Sequence, residues 1–186
     1  IKAQLALEKL RLHISGAYYL LNNYIYFDTT AQPKQTSIPL NILQISIRQQ
    51  LRLGHFHLDN TLVLQQASEA VIRLPELFSK HSAYYEGKWF KVLQIRLGLD
   101  FRFNTPWNAD YYNPVIGQYH LQDQVRIPFF PAADAFAAMK VGSFRAYLKF
   151  EGLGSMLLPG QYYYQSAYYA FPFPGMRFGV HWRLSE

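Results

Sequence analysis

The chain has no cysteine in its 186 residues. That excludes a disulfide framework, a thiolate metal site and a cysteine nucleophile, and it is compatible with an oxidising compartment without proving one. No run of about 18 apolar residues occurs, so no transmembrane helix is predicted. Acidic residues are few: 12 Asp and Glu stand against 18 Lys and Arg, for a net charge of +6. The basic residues recur singly rather than in clusters, so nucleic acid is not an expected partner. No Gly-x-Ser-x-Gly or other nucleophile motif surrounds the Ser, His and Asp residues, so no enzyme is predicted. The chain starts at Ile1 without an initiator Met or a signal peptide and reads as a mature or truncated piece.

What the chain has in excess is aromatic residues, 17 % of the total, with 15 Tyr and 14 Phe. Soluble cores rarely need so many Tyr, whereas membrane interfaces favour amphipathic rings at headgroup depth. Much of the chain also alternates with period two, the strand signal. Ile1–Leu7 reads as the end of a strand interrupted by Glu8-Lys9. Leu10 to Leu20 alternate with Arg11, His13 and Ser15, and the row continues to Tyr24 and Tyr26. Leu43 to Leu53 alternate with Arg48 and Arg52. After a turn at Gly54-His55, Phe56 to Leu64 alternate with His57 and Asp59, with Asn60 out of register. A connection is predicted over Gln66–Lys80 and a short strand over Tyr85–Trp89, turning at Phe90-Lys91. Leu93 to Phe103 alternate with Arg96, Asp100 and Arg102. Tyr119 to Ile127 read as a further strand carrying Arg126, and Phe136 to Phe150 as one long strand carrying Arg145 and Lys149. Gly175–Glu186 closes the chain, with Met176, Phe178, Val180, Trp182 and Leu184 on one face and Arg177, Gly179, His181 and Arg183 on the other.

The predicted connections alternate in length. Glu8-Lys9, Gly54-His55, Phe90-Lys91 and Pro128–Asp134 are short; Asp28–Ile38, Gln66–Lys80, Asn104–Pro114 and Leu153–Pro174 are long. In an antiparallel sheet, short connections then share one rim and long ones the other, as in transmembrane barrels with short periplasmic turns and long extracellular loops. The expected fold is all-β: an antiparallel transmembrane β-barrel segment of roughly eight full strands plus a truncated first strand. Residues 1–186 form a single domain in this reading.

Two resemblances sharpen it. Arg177-x-Gly179-x-x-Trp182-x-Leu184 resembles the C-terminal targeting signal of outer-membrane β-barrels, a polar residue and a Gly followed by two hydrophobic residues spaced by one. That resemblance implies recognition by the barrel assembly machinery. Nearly the whole chain also resembles the C-terminal part of the putative porins of Bacteroidota outer membranes. The match is carried by Asn22-Asn23-Tyr24-Ile25-Tyr26-Phe27-Asp28, Leu74-Pro75, Tyr84-Tyr85-Glu86-Gly87-Lys88-Trp89-Phe90-Lys91 and Gly98-Leu99-Asp100. It continues through Tyr112-Asn113-Pro114, Gln118 to Gln122, Pro131 to Phe136 and Phe178-Gly179-Val180-His181-Trp182. Members often end on Trp-x-Phe, where this chain has Leu184. They are much longer than 186 residues, which implies that N-terminal strands of a larger barrel are absent from this sequence.

The expected function is passive diffusion of small solutes through a polar lumen in the outer membrane; the alternative is a structural barrel that scaffolds other outer-membrane proteins. Expected lumen-lining residues are Arg11, Arg48, Arg52, Arg96, Arg102, Arg126, Arg145, Lys149, Arg177 and Arg183, opposed by Asp59, Glu86, Asp100 and Glu151. Excess positive charge would make the pore mildly anion-selective. His55-x-His57 lacks a third ligand and reads as a solvated turn, so no metal or cofactor is expected. Tyr162–Phe173 reads as an interfacial girdle rather than a sugar-binding or partner-binding loop. Val71, Ile72, Leu74, Leu77 and Phe78 are apolar for a loop, and are expected to narrow the pore or to cover a neighbouring chain.

Overall fold

Successive side chains of a strand point to opposite faces, so a sheet with one continuous apolar face needs every strand to hold its parity against its neighbours. The computed structural model, which describes residues 1–129, 131–157, 164–171 and 174–183, is built on that rule. Nine strands form one antiparallel sheet in chain order. They are β1 (Lys2–Leu7), β2 (Leu12–Leu21), β3 (Leu40–Leu53), β4 (Phe56–Ala67), β5 (Leu77–Trp89), β6 (Leu93–Asn104), β7 (Ala132–Val141), β8 (Phe144–Glu151) and β9 (Gly175–Trp182). Among the described residues, short two-stranded pairings, a 3-10 turn at Glu8–Leu10 and one α-helix, Leu153–Leu157, lie in the connections. Among the described residues no helix is long and apolar enough to cross a membrane. The sheet is open: β1 and β9 are its edges, and eight antiparallel pairings leave them running in the same direction.

Every Asp, Glu, Lys and Arg of the nine strands falls on one face. The opposite face carries rows such as Leu51–Leu58–Ala83–Leu99–Ala135–Phe150–Met176, in which each residue stands against the next. Many of these apolar side chains are exposed, Phe178 at 76 % and Val180 at 64 %. Asp59 on β4 and Lys149 on β8 line one shared concavity, so the sheet curls with its polar face inside. Trp89 and Trp182 sit on the outer, apolar face at the short-connection rim.

The structure moves several predicted boundaries. Tyr119–Ile127 is not a strand of the sheet. The Gln122 amide oxygen accepts from the Gln124 and Val125 N–H groups, and its nitrogen donates to the Ala109 and Val125 carbonyls. Those bonds turn the chain where the alternation failed at Asp123. Phe136–Phe150 is two strands, not one. Gly142, at φ +56°, and Ser143 form the tight turn between β7 and β8. A two-residue turn sets Val141 against Phe144 and so inverts the phase of the alternation: Phe136 and Ala138 face inward, whereas Phe144, Ala146, Leu148 and Phe150 face outward. The short turn predicted over Pro128–Asp134 is not there: Ala132 to Asp134 open β7, at the end of the long connection from β6, and the short turn is Gly142-Ser143. Long and short connections remain sorted to opposite rims.

Two further strand ends shift. β5 starts at Leu77, so Leu77 and Phe78 are strand residues rather than loop. The strand was hidden by Ser79 and His81, polar residues on the apolar face. β2 stops at Leu21, and Ile25–Phe27 pairs with Pro33–Gln35 in a loop hairpin. Asn60 stays in register, between Gln49 and His81 on the apolar face. The His81 imidazole bonds Asn60 Oδ1 on one side and the buried Ser79 hydroxyl on the other, both at 2.7 Å. Asn60, Ser79 and His81 thus satisfy one another on the outer face, which removes most of the cost of placing them there.

Candidate functional site

The register groups the inward charges into rows that cross the strands. An acidic row runs Asp59–Ser82–Asp100–Asp134 over β4 to β7. Two residues further toward the long connections lies a basic row, Arg48–Thr61–Lys80–Arg102. On the other side of the acidic row comes Arg52–His57–Tyr84–Gly98–Phe136–Lys149–Arg177. Beyond it lie Glu86–Arg96–Ala138–Tyr147–Gly179 and, nearest the short turns, Lys88–Gln94–Lys140–Arg145–His181. Rows two residues apart are separated by about 7 Å along the strand.

Local contacts fix these groups. Lys149 bridges Asp134 at 2.9 Å and Glu151 at 3.2 Å, and Arg177 holds Glu151 at 2.6 Å. Tyr84 is the best-buried ring of the wall, 8 % exposed. The Arg96 guanidinium lies 3.7 Å above its centroid, the His57 ring stacks on it at 4.9 Å, and its hydroxyl donates to Asp59 at 3.1 Å. Gly98 makes this possible, because a Cβ there would meet Tyr84 and Phe136. Tyr147 covers Gly179 in the same way.

Of the residues predicted to line this face, Arg48, Arg52, Arg96, Asp100, Arg102, Arg145, Lys149 and Arg177 are on it, with Asp59, Glu86 and Glu151 opposing them. Arg11 is not. It ends the 3-10 turn of Glu8–Leu10 in the left-handed region, because that connection takes four residues. Arg126 is not either; it pairs with Asn108 in a loop hairpin. Arg183 lies one residue past β9, its N–H facing the Ser143 carbonyl at 3.4 Å. Of the predicted targeting strand, Arg177, Gly179 and Trp182 lie in β9, and Leu184 lies outside the described residues. Reasoning from the sequence missed Lys80, Tyr84 and Asp134. The alternation puts Lys80 and Tyr84 in a connection or at its margin, and Asp134 in a turn.

His55 and His57 do separate things. The His55 Nδ1 contacts the Glu86 carbonyl, while His57 stacks on Tyr84. The long connections pack on one another. Arg73 reaches the Gln122 carbonyl and Asp123, tying the connection between β4 and β5 to the one between β6 and β7. Within Tyr162–Phe173 the described Tyr168 and Tyr169 pack against Tyr111, 5.3 and 6.3 Å away, and Tyr169 also against Tyr112 at 6.2 Å; residues 162–163 and 172–173 lie outside the described residues. In the loop hairpin Lys34, with the Thr30 and Gln32 donors, holds the Asp28 carboxyl well below the usual carboxylate range. Burial pushes Asp110 up, against the pull of Arg73.

A family model described as putative porin matches residues 1–185. No curated protein and no solved structure matches the chain. With that match running over the whole sheet, the chain belongs to the putative porin family.

Proposed function

We propose that this chain is a wall of an outer-membrane porin, a non-enzymatic β-barrel through which small solutes diffuse along the polar face. One observation carries the reading: all charged residues of nine strands lie on the concave face, while the convex face presents exposed Leu, Val, Phe, Met and Trp. Each such side chain left in water forgoes about 1.5–3 kcal/mol. An apolar surface this extensive needs a cover, and acyl chains supply one without demanding shape. Length agrees. The strands β3 to β6 hold 12 to 14 residues. At about 3.3 Å per residue and a tilt near 45°, 12 residues rise about 28 Å, close to a hydrocarbon core.

In this reading the short turns lie in the periplasm and the long connections outside the cell, as the sorted rims of such barrels do. Trp89 and Trp182 then anchor the periplasmic interface. Partners in this reading are outer-membrane lipid, small solutes and the barrel assembly machinery, which engages β9. Planar-bilayer recording of the purified full-length protein is the test. Discrete conductance steps are expected. A barrel that inserts but never conducts would overturn the diffusion role and favour a scaffold for other outer-membrane proteins.

A further inference from the structure

We propose that the concavity between β4 and β8 is a subsite for short peptides with free termini, a class of solute for the pore proposed above and resting on that reading. The cavity measures about 500 Å³ and is lined by Asp59, Asp100, Lys80, Arg96, Phe136 and Tyr147, among others. The charges of the wall differ in commitment. Asp134 and Glu151 are neutralised by Lys149 and Arg177. Among the described residues, Asp59, Asp100, Lys80 and Arg96 form no ion pair. Two carboxylates and two cations that form no ion pair thus share one hollow with Lys149, which Asp134 and Glu151 already hold.

The hollow is also held in shape. Tyr84 carries Arg96 on its ring and holds Asp59 by its hydroxyl, so one buried side chain fixes a cation and an anion a ring's width apart. The Arg96 Nε is buried without a hydrogen-bond partner. Lys80 and the Asp59–Asp100 row are two residues apart along the strands, about 7 Å. An extended dipeptide spans about 7 Å from end to end. A simple anion would meet Lys80 and Arg96 but also two carboxylates; a simple cation would meet the converse. Only a solute with separated charges of both signs satisfies both rows at once. Phe136 and Tyr147 offer apolar surface to its side chains.

The test uses the full-length protein in liposomes, comparing swelling in glycylglycine, in the uncharged N-acetylglycinamide and in arabinose. At low salt glycylglycine is expected to enter about three times faster than N-acetylglycinamide, the size of one solvent-exposed ion pair. Raising salt to about 1 M, where screening acts within about 3 Å, should bring the ratio to about one. Combining Asp100→Asn with Lys80→Gln should do the same at low salt. Tyr84→Phe keeps the ring beneath Arg96 and removes only the hydroxyl that holds Asp59, so its ratio should fall between. A wild-type ratio of about one with arabinose still entering overturns the subsite and leaves the pore standing. If no solute enters, the pore reading fails, and titration of glycylglycine into the micelle-solubilised protein decides the subsite. Saturable binding weakened by the double substitution upholds it; absence of binding overturns it.

Discussion

Gly179 shows how one residue can serve both the wall and the last strand. Tyr147, its cross-strand neighbour on the inward face, lies over it so closely that a Cβ would collide with the ring. A strand glycine covered by an aromatic ring is a recognised device for holding register. Gly179→Ala should therefore displace Tyr147 and cost about 1–3 kcal/mol, as overpacking does. In denaturant unfolding from detergent, Tyr147→Ala should absorb much of that cost when the two are combined. Additive effects would mean that Gly179 matters for targeting rather than for packing. At this scale period two correctly placed Arg96, Arg145 and Arg177 opposite Leu97, Phe144 and Val180. It could not reveal which charges find partners. That depends on cross-strand register, so the Lys149 bridges and the Tyr84 platform were illegible.

Strands fared differently according to how cleanly their outer faces were apolar. β6, with Leu, Ile and Phe at each outward position, was read almost to its ends. β5 was read only in its last third, because its outward Ser79 and His81 look like loop residues until Asn60 is seen to satisfy them. The β7–β8 hairpin is hidden because β7 carries apolar or small residues on both faces, Phe136 and Ala138 inward and Ala135 and Ala137 outward, so the phase inversion at Gly142-Ser143 leaves little mark in the sequence. The clean strand supplies the sharpest test of which face meets lipid. Leu97→Arg puts a cation on the convex face and should cost about 2–4 kcal/mol if it lies near the bilayer midplane. Arg96→Leu, one residue away on the concave face, gives up the contact with Tyr84, worth about 0.5–2 kcal/mol. The first variant should fold into bilayers with clearly lower yield than the second. Equal yields would count against lipid on the convex side.

For the whole molecule, the open sheet and its charge pattern set the limits of function. β1 and β9 run in the same direction, so joining them directly would need a parallel pairing. Antiparallel closure requires an odd number of additional strands, from this protein or from another chain, and an even total is the usual outcome in bacterial barrels. The wall described here carries an excess of positive charge. Losing Arg11 and Arg126 from it is offset by Lys80, Lys88 and Lys140, which the register places on the same face. Apart from Glu86 beside Arg96, the acids are concentrated: Asp59, Asp100 and Asp134 occupy one row flanked by basic rows. An ion crossing the wall therefore meets positive, negative and positive bands in turn. The outer bands favour anions at entry, and the acidic band opposes them inside, so the net preference should be mild. Screening within about 8 Å at physiological salt weakens it further in a wide pore. Reversal potentials of the full-length channel in a salt gradient should indicate weak anion selectivity that grows as salt is lowered, and Asp100→Asn should strengthen it. Cation selectivity at low salt would overturn this account, because no described row but one is acidic and that one is shared with Lys149 through Asp134.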